Sequence, residues 1–412
     1  MKPATQDDRM IEISSTWLPG AHSREQGHFI FWAAAGLSHT GEVDRARSLI
    51  QEALSAGGDR RAAARLLLGG VYVRLGRAAL LAGKSDRAMR DLLEGLRLGV
   101  PGGTGLFLDL LMAEAERCTR QGETREAVQR WQDIAILLGA ETPELVYQRL
   151  SDAYANNTQG FGGTAAENHH EGDRHKHDVL SRFHQDLEPR LYLEVGVDKG
   201  RSLARARGPA IGIDPRPRLD LKVTLGEQTR VLPMSSDAFF RTAAAEYLAS
   251  PPDLVFIDGM HLFEFVLRDF MNVERYAHAA TLVVIDDIFP CHPTQAERRR
   301  RSTAWTGDVW KLHAVLREWR PDLTLIALNA RTTGLLLIAG LDPGNSILWD
   351  HYDPIVRHWA RDLPVPAGVV RREGAVASDH AMVTALLDRL RQARDEGWEV
   401  ARVRAALRGC RH

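Results

Sequence analysis

Three cysteines in 412 residues, Cys118, Cys291 and Cys410, are too few and too widely spaced for a disulfide framework or a cysteine-based zinc site. Charge of one sign is also missing: 53 Lys and Arg stand against 54 Asp and Glu, a net charge of -1. That balance argues against a dedicated nucleic-acid binder, which carries a basic excess. Long apolar runs are absent too. The longest, LTLIAL at 323–328 and TGLLLIAG at 333–340, are strand-sized and far short of the roughly 18 residues that span a bilayer. The opening MKPATQDDRMIEIS has no apolar signal core, so a cytoplasmic, reducing location is expected. What remains, 44% hydrophobic and 26% charged residues, is ordinary for globular protein, and the length suggests two or three domains.

Residues 1–155 read almost wholly as helix, rich in Ala, Leu, Arg and Glu with breaks at Gly. Three segments beginning at Gly41, Gly83 and Gly122 recur about every 40 residues. Each carries Ala five residues on (Ala46, Ala88, Ala127) and a large apolar residue four further (Ile50, Leu92, Trp131). A Gly that ends one helix and a small Ala that lets the next approach closely make a helix-pair repeat. The pattern resembles the tetratricopeptide repeat, with a period longer than its usual 34 or so. Such an array implies a docking surface or a dimerisation arm, or else a helical cover for the other half. Trp17, Phe29, Phe31 and Trp32 form an aromatic stripe ahead of it that reads as core. Residues 156–178, polar and rich in His (His169, His170, His175, His177), read as a linker.

From 179 the pattern turns to strand–helix alternation. Strands are expected at 191–197, 210–215, 223–227, 253–259, 281–288, 323–329 and 334–340. Their nearly continuous apolar character implies a sheet buried on both faces, hence a mostly parallel α/β fold. Only ARTT joins the last two, too short for a parallel crossover, so they form an antiparallel hairpin. Residues 343–412 are expected to add amphipathic helices.

Ligands of open α/β sheets bind outside the carboxyl ends of the strands. After the first strand comes Glu194-Val195-Gly196-Val197-Asp198-Lys199-Gly200, where two glycines permit a tight turn and close approach of a ligand. The second strand ends in Asp214, placed to accept the hydroxyls of a ribose. A Gly-rich turn with an acidic residue at the next strand end is compatible with a dinucleotide or with S-adenosylmethionine.

The ExGxxxG form of the turn and the terminal hairpin look like class I S-adenosylmethionine-dependent methyltransferases with a Rossmann-like seven-stranded sheet. Within them, DLVFIDGMHLFEFVLRDF followed by LVVIDDIFP resembles the small-molecule O-methyltransferases that act on macrolide and aminocoumarin sugars. The resemblance covers about 179–342. It implies that Gly196 and Gly200 line the methionine end of the cofactor, with Glu194 beneath and Asp214 on the ribose. Ser236 and Asp237 would then flank the adenine. Asp258, Asp286 and Asp287 would hold a divalent cation, Mg²⁺, which lowers the pKa of an acceptor hydroxyl. His261 would be the general base beside Asp258. Met260 departs from relatives that carry an acidic residue there. His292, Arg298 at the head of an arginine run, and Trp305 are candidates to touch the substrate.

The expected activity is therefore methyl transfer to a hydroxyl of a small polar natural product, a sugar or polyol. Two alternatives stand beside it: metal-free methylation of an amine or guanidine, and a non-catalytic repeat protein carrying a degenerate methyltransferase fold.

Overall fold

The computed structural model describes residues 43–55, 59–81, 103–157 and 160–410, with scattered positions between 87 and 98. The chain divides after Glu114 into two compact units. In the first, helices α1 (Val43–Ser55) and α2 (Arg60–Leu81) meet through a small core of Ile50, Ala63 and Leu66. Ala46 and Ile50 are buried, as the repeat pattern requires. The aromatic stripe from Trp17 to Trp32, Gly41, Gly83 and Ala88 lie outside the described residues.

The second unit begins in helix α3 (Gly103–Gln121), which stops at Gly122 with φ +72°. Helices α4 (Thr124–Leu138) and α5 (Glu144–Asn156) follow, with Ala127 and Trp131 buried. These two helices belong to the compact unit that carries the sheet, although their sequence matches the helical array. Helix α6 (Lys176–Leu187) then leads into the sheet, its His175 cap accepting from the His177 amide.

The sheet has strands β1 (Tyr192–Val195), β2 (Ala210–Ile213), β3 (Thr229–Leu232), β4 (Leu254–Ile257), β5 (Leu282–Asp286), β6 (Thr324–Leu328) and β7 (Leu335–Ala339). Their order is β3-β2-β1-β4-β5-β7-β6. All neighbours are parallel except β7, which runs antiparallel to both β5 and β6. This is the Rossmann-like sheet with a terminal hairpin expected from the sequence. The central strands β1, β2, β4, β5 and β7 are buried at every position, which explains their unbroken apolar runs. Only the third strand departs from expectation. It falls at 229–232 rather than 223–227, because the Thr229 amide bonds the Gly226 carbonyl and makes the earlier stretch a turn.

One face of the sheet is covered by α7 (Ser236–Thr242), α8 (Phe263–Arg275) and α9 (Trp310–Trp319), with Phe239, Phe263, Phe270 and Leu312 in the core. The other face is covered by α6 and the C-terminal helices α10 (Ala381–Asp395) and α11 (Val400–Ala406). Burying each such Leu or Phe stabilises by about 1.5–3 kcal/mol. The C-terminal segment is thus part of the α/β layer, filling the face that α6 leaves open.

Candidate active site

The stretch expected as a linker is stitched to the hairpin. The Asp173 amide donates to the Asn329 carbonyl (2.8 Å), and the amides of Lys176 and Arg331 donate to the carbonyls of Arg331 and Arg174. The Asp173 carboxylate also accepts from the amide and hydroxyl of Ser378. This pairing starts α6 at the carboxyl edge of the sheet and brings Lys176 over the strand ends. The four linker histidines do not converge. His175 caps α6 with its ring centre 4.7 Å from that of His177, which lines the cavity described next, whereas His169 meets Glu171.

A cavity of about 640 Å³ opens above the carboxyl ends of β1, β2 and β4. At one end is the turn after β1. Gly196 has φ +91°, and a Cβ there would lie 2.0 Å from the Asp258 carbonyl oxygen, so only glycine fits. Glu194 lies beneath this turn, fully buried, accepting from the hydroxyls of Tyr192 and Ser202 at 2.6 Å each. Burial pushes its pKa up to about 8. Asp214 faces the cavity and accepts from the amides of Val197, Asp198 and Arg216, which ties the β1 turn to the end of β2. Gly200 (φ +73°) shapes the turn from outside the cavity wall.

Ser236 lines the cavity, but its neighbour Asp237 does not. The Asp237 carboxylate is committed to Arg268 (2.8 and 3.1 Å) and to the Tyr147 hydroxyl (2.6 Å). The acidic group at this wall is instead Asp269 on α8, raised to about 7 by burial and by Asp237.

At the other end Asp258, His261 and Asp287 converge. His261 Nε2 is 3.3 Å from Asp258 and Nδ1 is 2.9 Å from Asp287, with the Trp305 carbonyl also 3.1 Å from Nδ1. The imidazole stacks on the Trp305 indole, ring centres 5.4 Å apart at 13°. Both ends of the His261–Asp287 pair have left-handed backbone, φ +59° and +65°. Such strain costs roughly 1–3 kcal/mol per residue and clusters at sites where the surroundings over-determine a geometry. The backbone of His261 is held against Gly307, where a Cβ would fall 1.7 Å from its carbonyl oxygen. Burial alone would lower the imidazole pKa, but Asp287 and Asp258 push it up to about 10.

The expected metal trio is arranged differently. Lys176 Nζ donates to Asp258 (2.8 Å) and to Asp286. Burial would lower this ammonium, yet Asp258, Asp286 and Asp287 hold it well above its ordinary value. Asp286 is 2% exposed and its Oδ1 has no partner; burial, only partly opposed by Lys176, raises its pKa well above the carboxylate range. Among the described residues, Asp258, His261 and Asp287 are the only group of three such side chains whose ligand atoms lie within 4.8 Å of one another. There the two carboxylates approach opposite nitrogens of the ring, and Asp286, the third member of the expected trio, lies outside the group. Two cations, Lys176 and His261, already face three carboxyl groups, one of them driven toward its neutral form. Lys176 and His261 thus supply positive charge that competes with a divalent cation for these carboxylates, and Lys176, a residue without any motif around it, stands at Asp286 where the third ligand was expected.

Of the expected substrate contacts, Trp305 lines the cavity. Arg298 does not. It is 4% exposed and paired with Glu264 (2.6 Å) and Asp308 (2.6 Å), tying α8 to the segment before α9. His292 caps a short turn by accepting the Thr294 amide and lies off the cavity. Arg300 reaches the cavity instead.

No curated protein matches the chain. Solved structures with a similar chain course include an O-methyltransferase from Bacillus cereus in complex with SAH, with 15% identity, 51% of this chain and 98% of that one covered, and a TM-score of 0.31. An O-methyltransferase family protein from Burkholderia thailandensis has 13% identity, 82% and 98% coverage, and a TM-score of 0.28. MycE methyltransferase from the mycinamycin biosynthetic pathway, in complex with Mg, SAH and mycinamycin VI, has 18% identity, 50% and 62% coverage, and a TM-score of 0.27. Residues 193–288, from β1 through the acidic pair after β5, match the family described as Methyltransferase domain.

Proposed function

We propose that this chain methylates a hydroxyl of a small polar molecule, a sugar or polyol, using S-adenosylmethionine. The observation that carries this reading is one cavity with two chemically distinct ends. The Gly196 turn, Asp214 and Ser236 form one end, and Asp258, His261 and Asp287 form the other. Gly196, Asp214, Ser236 and Asp258 would hold the cofactor, with Glu194 and Gly200 shaping the turn from behind. When bound, the cofactor supplies an electrophilic sulfonium methyl.

The chain's own work is then to orient an oxygen and take up its proton. Asp287 and Asp258 fix the imidazole plane from both sides, and Trp305 supports its face. In its resting, charged form His261 donates to both carboxylates; its neutral form is the one that accepts the acceptor's proton. With Asp258, Asp286 and Asp287 already matched by Lys176 and His261, this end of the cavity offers little negative charge to a cationic amine or guanidine, which favours an oxygen acceptor. No step in this scheme requires a metal.

For the N-terminal helical unit we propose docking to a partner or a second copy, tested by light scattering of the full chain. Among the described residues no helix is long and apolar enough to cross a membrane. The deciding experiment for the enzyme is calorimetric titration with S-adenosylmethionine. Binding is expected, and its absence overturns the proposal in favour of a non-catalytic scaffold.

A further inference from the structure

Residues 298–301 are four consecutive arginines, and their surroundings differ sharply. Arg298 pairs with Glu264 and Asp308, Arg299 with Asp133, and Arg301 with Glu297. Arg300 meets no carboxylate at ion-pair distance among the described residues. Its Nε and Nη2 donate to the carbonyls of Ser302 (3.3 Å) and Thr303 (2.6 Å), and the guanidinium also bonds the Tyr154 side chain, which leaves part of its N–H set for a ligand. It is half-buried, with its guanidinium over the rings of Phe161 (4.5 Å), Tyr154 (5.6 Å) and Trp305 (5.7 Å). A cation removed from water is normally matched by an acid. Burial pulls Arg300 below its ordinary value, and Tyr154 and Asp287 offset this only in part.

The position of this cation without an ion-pair partner is equally specific. Arg300 and Phe161 line both the main cavity and an adjoining groove of about 430 Å³. The groove adds Arg125 and Arg130 of α4, neither with a carboxylate at ion-pair distance among the described residues. From Arg300 the path into the main cavity crosses the Trp305 indole, whose face carries His261.

We infer that Arg300 is the anchor for an oxyanion on the acceptor: the substrate is a hydroxyl compound bearing a phosphate or carboxylate about one indole width from the methylated oxygen. The planar guanidinium suits either group, because both present paired oxygens to its remaining N–H groups. The aromatic rings beneath it exclude water and hold its orientation. This rests on the methyl-transfer reading and narrows its acceptor to anionic polyols or sugars.

The test is calorimetric titration of the full chain, in the presence of SAH, with inorganic pyrophosphate and, separately, malonate. Wild type is expected to bind at least one, pyrophosphate identifying a phosphate-bearing acceptor and malonate a carboxylate-bearing one. Arg300→Gln should weaken that binding about tenfold or more, and Arg300→Lys, which keeps the charge but not the fork, should recover part of it. An Arg125→Gln/Arg130→Gln double variant should retain most of it. Failure of both probes to bind wild type overturns the inference. So does binding that survives Arg300→Gln and is lost only in the double variant, which would mark a generic basic groove. Titration of the same wild-type sample with S-adenosylmethionine separates the two claims: cofactor binding without anion binding removes only the anionic acceptor.

Discussion

Lys176 Nζ lies 2.8 Å from the Oδ2 of Asp258, a residue 82 positions further along the chain, and the same ammonium also reaches Asp286. An acidic cluster that would otherwise attract a cation from solution thus has one supplied by the fold.

Replacing Lys176 with Met keeps the bulk of the side chain and removes the charge. Breaking a buried pair in this way costs about 3–5 kcal/mol, since the remaining carboxylates lose their partner. Urea unfolding should show a loss at the lower end of that range, because Lys176 and Asp258 are each about one-fifth exposed. Manganese binding followed by electron paramagnetic resonance should be absent in wild type and appear in K176M. Methyl transfer by wild type should be unaffected by excess EDTA; chelator-sensitive activity would restore the metal reading.

His261 makes a pH prediction with a definite sign. Its folded pKa, about 10, lies above the ordinary value near 6.5, so folding favours the charged form. The contribution of the Asp258–His261–Asp287 cluster to stability is complete below about pH 6.5 and is lost as the pH rises through about 10. The neutral imidazole grows over the same interval, so a base role requires the rate to rise with pH toward about 10. His261→Gln should remove that rise. A rate that is flat between pH 7 and 10 would exclude His261 as the base.

Gly196→Ala places a methyl group where the Asp258 carbonyl already sits, on backbone at φ +91°. The turn must shift, at a strain of about 1–3 kcal/mol. Cofactor affinity, read by calorimetry, should fall at least tenfold, about 1.4 kcal/mol. The melting temperature should drop by a few degrees.

Arg298→Met tests the opposite expectation. Its guanidinium is buried between Glu264 and Asp308, far more like a tie between segments than a substrate contact. Losing it leaves the buried Glu264 carboxylate without its cation, while Asp308 keeps Lys311, and should cost about 3–5 kcal/mol in urea unfolding. The affinity of the folded protein for S-adenosylmethionine should be unchanged.

Much of the fold was legible because it rests on local rules. Runs such as LVFI and LVVID identify strands buried on both faces, and the four residues ARTT permit only a hairpin. The third strand was displaced because β3 is an edge strand with no fully buried residue, and so lacks an unbroken apolar signal. In the site, the strand-end positions Gly196, Asp214, Asp258 and Asp287 were readable, since topology alone puts them at one edge of the sheet. The partners that decide their chemistry were not. Asp237 and Arg298 have the residue types of binding groups, but Arg268, Glu264 and Asp308 claim them from other elements. Arg300 differs from the arginines beside it only in what surrounds it.

The sequence by itself determined the order of strands and helices, the hairpin, and which polar residues stand at the carboxyl edge, because hydrophobic period and connection length act over a few residues. Only the tertiary structure decided the charge balance of the site. Lys176 comes from a stretch that reads as a linker, and backbone pairing with the hairpin carries it to Asp258 and Asp286. Coulomb energy depends on distance in space, and a lysine 82 positions from its carboxylate leaves no pattern in the sequence to show that the two will meet.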